Sequence, residues 1–153
     1  AQQLARDLGG RVVCADDFFL RPEQRTPERL AEPGGNLDRE RMKSEVIDRL
    51  GADALSYTPF DCGVMDFGSP VELPPARLTI VEGAYSLHPY FGEYYDLAVF
   101  VTADLETRLA RIGARPGHNN VEMFRKRWIP MEERYLSACE VEARSNLVID
   151  TTK

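Results

Sequence analysis

Residues 11–38 read RVVCADDFFLRPEQRTPERLAEPGGNLD, and this stretch decides the interpretation of the rest of the chain. It begins with a short apolar run over residues 11–15, which predicts a buried strand. The run stops at two adjacent carboxylates, Asp16 and Asp17. Residues 16–36 are rich in Pro, Gly, Arg and Glu and lack a hydrophobic period, which predicts a loop. Loops of about 20 residues are uncommon in compact domains unless they are functional, so we expect a binding site here.

The composition is that of a soluble globular protein. The 153 residues are 43% hydrophobic and 29% charged. The net charge of −6, from 25 acidic and 19 basic residues, argues against a nucleic-acid partner. No apolar run is long enough to span a membrane, and residues 1–10 have no signal-peptide core, so we expect no membrane partner.

The cysteines and histidines do not form a recognisable metal or disulfide motif. Cys14, Cys62 and Cys139 are odd in number, far apart and without a CxxC pair, which is typical of reduced thiols in a cytoplasmic protein. His88 and His118 stand alone. We therefore expect neither a zinc site nor a disulfide framework.

Strands and helices alternate along the chain. Apolar runs predict further strands at residues 57–60, 77–83, 96–102 and 146–150. Apolar residues at helical spacing predict helices at residues 1–8, 38–50, 104–112 and 121–143. A second Pro- and Gly-rich loop is expected over residues 56–76, around the small strand. The alternation predicts an α/β fold with a mainly parallel sheet, in which ligands bind beyond the carboxyl ends of the strands.

Local signals mark where these helices begin, bend and end. Gly9-Gly10 closes the first helix, and Asn36 or Asp38 can cap the second. Pro130 predicts a kink in the last helix.

Three acidic residues follow two of the predicted strands. Asp16 and Asp17 follow the first, and Glu82 ends the strand of residues 77–83. Carboxylates that converge at one edge of a sheet suit Mg²⁺, and one of them can accept the proton of an attacking hydroxyl group. The alternative is that these residues simply end strands and begin turns.

Three arginines share one face of the predicted helix at residues 104–112 and its continuation. Arg108, Arg111 and Arg115 follow a spacing of three and four residues and run into a Gly- and Pro-rich break. Arginine suits phosphate oxygens, so we expect a phosphate-binding lid over residues 104–120. The alternative is a solvated stripe of surface charge. On the last helix, Glu132 could order this lid or contact an acceptor.

The ordered set of motifs resembles the uridine kinase / phosphoribulokinase group of P-loop kinases, along nearly the whole chain. The motifs are CADDFF, NLD, YTPFD, IVEG, DLAVFV, ETRLARI and WIPMEERY. The resemblance implies a P-loop NTPase-like three-layer αβα fold, as one domain over residues 1–153. It also implies Mg²⁺-dependent transfer of the γ-phosphoryl group of ATP to a hydroxyl of a small molecule.

The resemblance also implies roles for individual residues. Asp16 matches the family's catalytic base near Mg²⁺, and Glu82 matches the acid that binds hydrated Mg²⁺. The arginines of the expected lid match the family's phosphate-binding arginines, Arg115 less closely than the other two. The expected acceptor-binding residues are Asp17, Phe19, Asp38, Phe60 and Asp61.

Two departures from the family pattern qualify these implications. The phosphate-binding loop G-x-x-x-x-G-K-[ST] does not occur in the 153 residues. We therefore expect the natural protein to begin on the order of 20 residues earlier, with the first strand and that loop. Leu37 also replaces the aromatic residue of the family's N-F-D stretch, and a base-reading histidine is not matched, so uridine is a poorly supported acceptor.

Several functions stay open on the sequence alone. The acceptor could be a nucleoside, a sugar or a vitamin precursor. A non-catalytic nucleotide-binding module and an NTPase that uses water as acceptor are alternatives to a kinase. A homo-oligomer is also compatible with the resemblance.

Overall fold

The computed structural model describes residues 1–52, 54–115 and 120–152. The chain forms two compact units, residues 1–94 and residues 95–153. The expectation of one domain over the whole chain stays a prediction. Among the described residues, no helix has the length and apolar character that crossing a bilayer requires.

The first unit combines three short helices with six strands. Its helices are α1 (Gln2–Leu8), α2 (Pro27–Ala31) and α3 (Arg39–Glu45). Its strands are β1 (Arg11–Cys14), β2 (Leu55–Tyr57), β3 (Phe60–Asp61), β4 (Asp66–Phe67), β5 (Val71–Leu73) and β6 (Thr79–Glu82). Short 3₁₀ turns occur at Ala15–Phe18, Pro22–Gln24, Ile47–Arg49 and Pro89–Phe91.

β1 and β6 form a parallel strand pair. β1 pairs with β6 in a register that places Arg11 opposite Thr79 and Cys14 opposite Glu82. Val13 of β1 is fully buried, and its β-branched side chain suits a strand. The sequence predicted a mainly parallel sheet, and this pair is parallel.

The sequence signals at the ends of α1 and α3 are confirmed in part. Gly9 closes α1 in the left-handed conformation, at φ 64°, and its N–H bonds to carbonyls of the last turn. The Asp38 carboxylate caps α3 by accepting from the Arg41 N–H, so Asp38 is the cap and Asn36 is not. The helix predicted over residues 38–50 is too long, because α3 ends at Glu45.

The loop predicted over residues 16–36 contains more structure than the sequence indicates. It holds two 3₁₀ turns and α2, whose Thr26 side chain caps the helix by accepting from Arg29 N–H. Its two ends are joined, since Leu20 N–H donates to Asn36 O at 3.0 Å and Asp38 N–H donates to Phe18 O at 2.7 Å. We call residues 15–37 the first loop.

The second long loop contains short strands that form two antiparallel pairs. β2 pairs antiparallel with β5, and β3 pairs antiparallel with β4. The small strand predicted over residues 57–60 is wrong in extent, because Thr58 and Pro59 separate β2 from β3 and belong to neither strand. Proline cannot donate to a strand ladder, which explains the break.

In residues 95–115 and 120–152, the second unit contains two strands, three helices and a π-helical turn. Its elements are β7 (Val99–Thr102), α4 (Leu105–Gly113), α5 (Val121–Met123), a π-helical turn (Phe124–Trp128), α6 (Ile129–Ala138) and β8 (Leu147–Asp150). β7 and β8 pair in parallel, with Val99 opposite Leu147. Leu109, Ile112 and Ile129 form a buried cluster between the helices.

The helix predicted over residues 121–143 ends earlier and is not regular. It is interrupted by the π-helical turn immediately before α6 and stops at Ala138. Pro130 lacks an N–H and its ring crowds the carbonyl four residues earlier, so a wider turn at this point accommodates it. The sequence located the irregularity correctly but not its form.

Candidate active site

Two of the predicted acidic residues lie at one edge of the β1–β6 pair. Glu82 is the last residue of β6 and stands opposite Cys14, the last residue of β1. Asp16 lies two residues beyond Cys14, on the turn Ala15–Phe18. Paired strands lie about 4.8 Å apart, so these acidic residues start from neighbouring backbone positions at the same edge. Asp16 is exposed and Glu82 is half-buried.

A glycine allows the two strand ends to come this close. Gly83 has a φ of 125°, and a Cβ at this position would lie 2.9 Å from the Cβ of Ala15. A side chain here would therefore push the turn that carries Asp16 away from β6.

Asp17 is held by the protein itself. The Tyr57 hydroxyl donates to its Oδ2 at 2.9 Å, and Arg41 Nη2 donates to its backbone oxygen at 2.8 Å. Burial raises the pKa of Asp17, and the bond from Tyr57 opposes that rise. The side chain predicted to contact the acceptor thus anchors the turn on which Asp16 lies; its acceptor contact stays a prediction.

The Cys14 thiol has low reactivity although it lies near Asp16 and Glu82. Burial and the nearby charge of Asp16 raise the pKa of the Cys14 thiol to about 12. The thiol is therefore neutral near pH 7 and is neither a nucleophile nor a good metal ligand.

Asp38 and Leu37 are built into the fold more deeply than the family pattern implies. Asp38 is only 7% exposed; its Oδ1 accepts from Arg41 N–H and its Oδ2 accepts from Gln24 Nε2, both at 3.1 Å. Leu37 is fully buried, so its side chain packs in the core. The predicted contact of Asp38 with an acceptor is untested, and it would compete with these two bonds.

The other predicted acceptor-binding residues lie around the first loop and the β3–β4 hairpin, which packs against the turn Ala15–Phe18. Phe19 is half-buried and its backbone bridges to Leu37. Phe60 is buried, and Asp61 is exposed with its Oδ1 accepting from Gly63 N–H at 2.7 Å. Their acceptor-binding roles stay predictions.

Sequence reasoning missed Arg41, which organises this region. Its guanidinium group lies 4.6 Å from the ring centroid of Phe18 and 4.7 Å from that of Phe67. It also donates to the Thr58 and Asp17 backbone oxygens. The sequence gives no signal for this role, because Phe18, Thr58 and Phe67 are distant from Arg41 along the chain. The near-sequence carboxylates of Asp38 and Glu45 each lie 3.9 Å from the Arg41 guanidinium.

The donor set at the strand ends fits a magnesium ion that arrives with a nucleotide. Within residues 1–52, 54–115 and 120–152, no group of three or more His, Cys, Asp or Glu residues could hold a metal ion by itself. Mg²⁺ commonly uses one or two protein carboxylates together with water and substrate phosphates. Asp16 and Glu82 supply hard oxygen ligands of that kind.

The predicted lid arginines have partners within the second unit. Arg108 forms ion pairs with Glu132 at 2.9 Å and with Glu133 at 3.2 Å. Arg111 donates to the Oγ1 and the backbone oxygen of Thr151. Arg115 is exposed. Residues 116–119 of the predicted lid, including His118, lie outside the described residues, and the phosphate-binding role of the lid stays a prediction.

Two solved structures superpose on nearly the whole chain. A protein from Bacillus stearothermophilus described as a possible uridine kinase aligns with a TM-score of 0.71 and 19% sequence identity, over 97% of this chain and 77% of that chain. A protein from Silicibacter sp. TM1040 described as a fructose transport system kinase aligns with a TM-score of 0.69 and 20% identity, over 95% of this chain and 77% of that chain. The chain has a P-loop-kinase-like fold.

This fold was expected from the ordered motifs, and that expectation is confirmed. No protein-family profile matches the sequence, and no curated protein matches it. At 19% and 20% identity, a P-loop-kinase-like fold is what these likenesses establish. The reaction has to be argued from the side chains.

Proposed function

We propose that the protein is an ATP-dependent kinase that transfers the γ-phosphoryl group to a hydroxyl of a small molecule. The observation that carries the proposal is the placement of Asp16 and Glu82 at adjacent ends of the parallel strands β1 and β6. In open α/β sheets this edge is where ligands bind. Two carboxylates at such an edge match the needs of phosphoryl transfer, which are a base and a magnesium ligand.

In the proposed reaction, Asp16 accepts the proton of the acceptor hydroxyl as its oxygen attacks the γ-phosphorus. The bond from the γ-phosphorus to the β–γ bridging oxygen breaks, and ADP leaves with the electron pair. Glu82 and Asp16 would hold hydrated Mg²⁺, which would supply positive charge to the phosphates. The exposure of Asp16 supports its role as the base, since an acceptor can reach it.

The arginines of the second unit are proposed to bind phosphate oxygens. Arg108 and Arg111 present guanidinium groups that Glu132 and Thr151 hold in position. To contact phosphate, the two arginines would have to leave these partners. We therefore expect Glu132 to hold Arg108 in position while no phosphate is bound, rather than to bind the acceptor.

The experiment is a transfer assay with labelled ATP and Mg²⁺ over nucleosides, sugars and vitamin precursors. Nucleosides and sugars are included because the two structural neighbours are described as kinases of different kinds. The proposal predicts label on at least one acceptor. Nucleotide binding without turnover would instead favour a binding module, and hydrolysis that is faster than any transfer would favour an NTPase.

A further inference from the structure

Three arginines lie on the first loop and on α3, and α3 packs against the turn that carries Asp16. Arg21 and Arg25 are on the first loop, and Arg41 is on α3. The Arg25 guanidinium lies 5.3 Å from the Phe60 ring centroid, and the Arg21 guanidinium lies 4.9 Å from that of Phe67. These two phenylalanines are directly opposite each other in the β3–β4 pairing, so one small hairpin supports both first-loop arginines.

Arg41 has a structural role within this group. Its side chain is 13% exposed, and it donates to two backbone oxygens while lying against Phe18 and Phe67. These contacts fix the position of Arg41 beside Phe67, and Arg21 lies over the same ring.

Arg25 is held on the same side as Asp16. Its Nε donates to Leu20 O at 2.8 Å, and its guanidinium covers the buried Phe60 ring. Burial has the largest effect on the pKa of the Cys62 thiol and raises it. The charge of Arg25 lowers this pKa, and the charge of Asp16 raises it. Phe60 belongs to β3, which packs against the turn Ala15–Phe18, so the ring that Arg25 covers lies near the segment that carries the proposed base.

Arg21 adds a second positive charge that is still reachable from solvent. Its side chain is 36% exposed, and its Nε lies 3.1 Å from the exposed carboxylate of Glu23. The positive charge of Arg21 repels that of Arg41. Burial is the main cause that lowers the pKa of Arg41, and the charge of Arg21 lowers it as well. Because Glu23 is an exposed partner, an anionic ligand can compete with it for Arg21.

We propose that Arg21 and Arg25 bind an anionic group of the acceptor, so that the acceptor is a hydroxyl compound with a phosphate ester or a carboxylate. The inference rests on the proposed kinase function and specifies its substrate class. A guanidinium fork matches both anions through paired N–H···O bonds. Stacking on Phe60 and Phe67 fixes the two arginines before the ligand arrives, which lowers the entropy cost of binding.

The test compares neutral and anionic acceptors that share the same hydroxyl groups. The pairs are ribose with ribose 5-phosphate, glycerol with glycerol 3-phosphate, and glycerol with glycerate, so that the phosphate and carboxylate arms are separate. Each is assayed with the wild type, Arg21→Gln, Arg25→Gln and the double variant. Arg77→Gln is the matched control, because Arg77 is exposed and precedes β6 at the end remote from Glu82.

We expect an anionic member of at least one pair to be the better substrate. Arg21→Gln and Arg25→Gln should each raise KM for that acceptor about 10- to 100-fold, with little change in kcat, because charge-assisted bonds to the anion are lost. Neutral acceptors should be affected little, and Arg77→Gln should behave as the wild type. Circular dichroism of each variant checks that the fold is kept.

The outcomes separate this inference from the proposed function. If neutral acceptors are phosphorylated as well as anionic ones, or if the variants affect both equally, the anion site is wrong and the kinase function stands. If nothing is phosphorylated, calorimetric titration with the same compounds decides. Binding of an anionic compound that the double variant loses would support the anion site and count against the kinase; no binding of any anionic compound would overturn the site.

Discussion

The Tyr57 hydroxyl donates to Asp17 Oδ2 at 2.9 Å and thereby ties β2 to the turn that carries Asp16. Tyr57 is 5% exposed, and its ring lies 5.0 Å from that of Phe18. The bond raises the pKa of Tyr57 further than burial alone and opposes the rise in the pKa of Asp17. The proposed base is therefore positioned by residues that are not themselves at the reaction centre.

Replacing Tyr57 by Phe removes this donor while keeping the ring. We expect Tyr57→Phe to lower the free energy of unfolding by about 1–2 kcal/mol, because a half-buried carboxylate loses its hydrogen-bond partner. Urea denaturation followed by circular dichroism measures the change. Tyr90→Phe is the control, since its ring is 46% exposed and it should change stability little. Equal midpoints for Tyr57→Phe and the wild type would show that the bond does not stabilise the turn.

Gly83 and Gly92 form a matched pair that separates crowding from backbone strain. Both have a positive φ, 125° and 69°, but an added Cβ meets Ala15 at 2.9 Å only at Gly83 and meets nothing within 4 Å at Gly92. We expect Gly92→Ala to cost about 1 kcal/mol and Gly83→Ala distinctly more. Thermal denaturation of both variants provides the comparison. A smaller loss for Gly83→Ala would contradict the close approach of the strand ends.

The ion pair between Arg29 of α2 and Glu40 of α3 predicts a pH dependence. The two Arg29 Nη atoms bind the two Glu40 oxygens at 2.9 and 2.7 Å, and this lowers the pKa of Glu40 to about 2 from 4.5. A lowered folded-state pKa gives stability that is complete above about pH 4.5 and is lost as the pH falls toward 2. Because Glu40 is largely exposed, we expect Glu40→Gln to cost about 1 kcal/mol or less at pH 7.

The measurement for this pair is the melting temperature of the wild type and of Glu40→Gln from pH 7 to pH 3. The difference between them should shrink as the pH falls. Glu72→Gln, at an exposed position of β5, controls for loss of a surface charge. A difference that is constant with pH would show that the Glu40 carboxylate does not contribute through its charge.

His88 predicts a pH dependence in a different range. It is 7% exposed, its Nδ1 accepts from Tyr90 N–H, and its Nε2 lies 3.2 Å from Pro33 O of the first loop. Burial lowers its pKa, Arg39 and Arg29 act in the same direction, and Pro33 O and Glu40 oppose them. The unfolded chain therefore binds the proton more readily, and stability falls as the pH drops below about 6.5.

We expect His88→Gln to lack this fall. The unfolding free energy of the wild type relative to His88→Gln should therefore be larger at pH 7.5 than at pH 5.5, as measured by urea denaturation at both values. The opposite trend would mean that the protonated imidazole, and not the neutral one, fits between Tyr90 and Pro33.

Sequence periodicity identified the parts of the fold that local physics determines. β1 and β6 were recognisable because continuous apolar runs end in acids, and α4 was recognisable from its apolar spacing, with Asp104 as the observed cap. The two hairpins within residues 56–76 were not recognised. Their strands are only two or three residues long and are separated by Pro and Gly, so pairing and not periodicity specifies them.

The acidic residues of the site could be predicted from the sequence, but the contacts that hold the surrounding side chains could not. That Asp16 and Glu82 lie at one edge follows from the parallel-sheet rule applied to two strand ends. The bond from Arg41 to the Asp17 backbone and the bond from Gln24 to Asp38 are tertiary contacts between distant segments, so the sequence could not assign Arg41 this role or show that Asp38 is buried. The ion pair of Arg108 with Glu132 joins α4 to α6 and was not specified by the sequence.

The most direct test of the account is the rate of ATP-dependent phosphate transfer as a function of Mg²⁺ concentration in Asp16→Asn and Glu82→Gln. Asp7→Asn, at an exposed position of α1, and Glu72→Gln are the matched controls. We predict that Asp16→Asn lowers the rate at least about 100-fold and that Glu82→Gln raises the Mg²⁺ concentration required, while both controls behave as the wild type. An Asp16→Asn variant that is folded and transfers phosphate at the wild-type rate would contradict the assignment of Asp16 as the base.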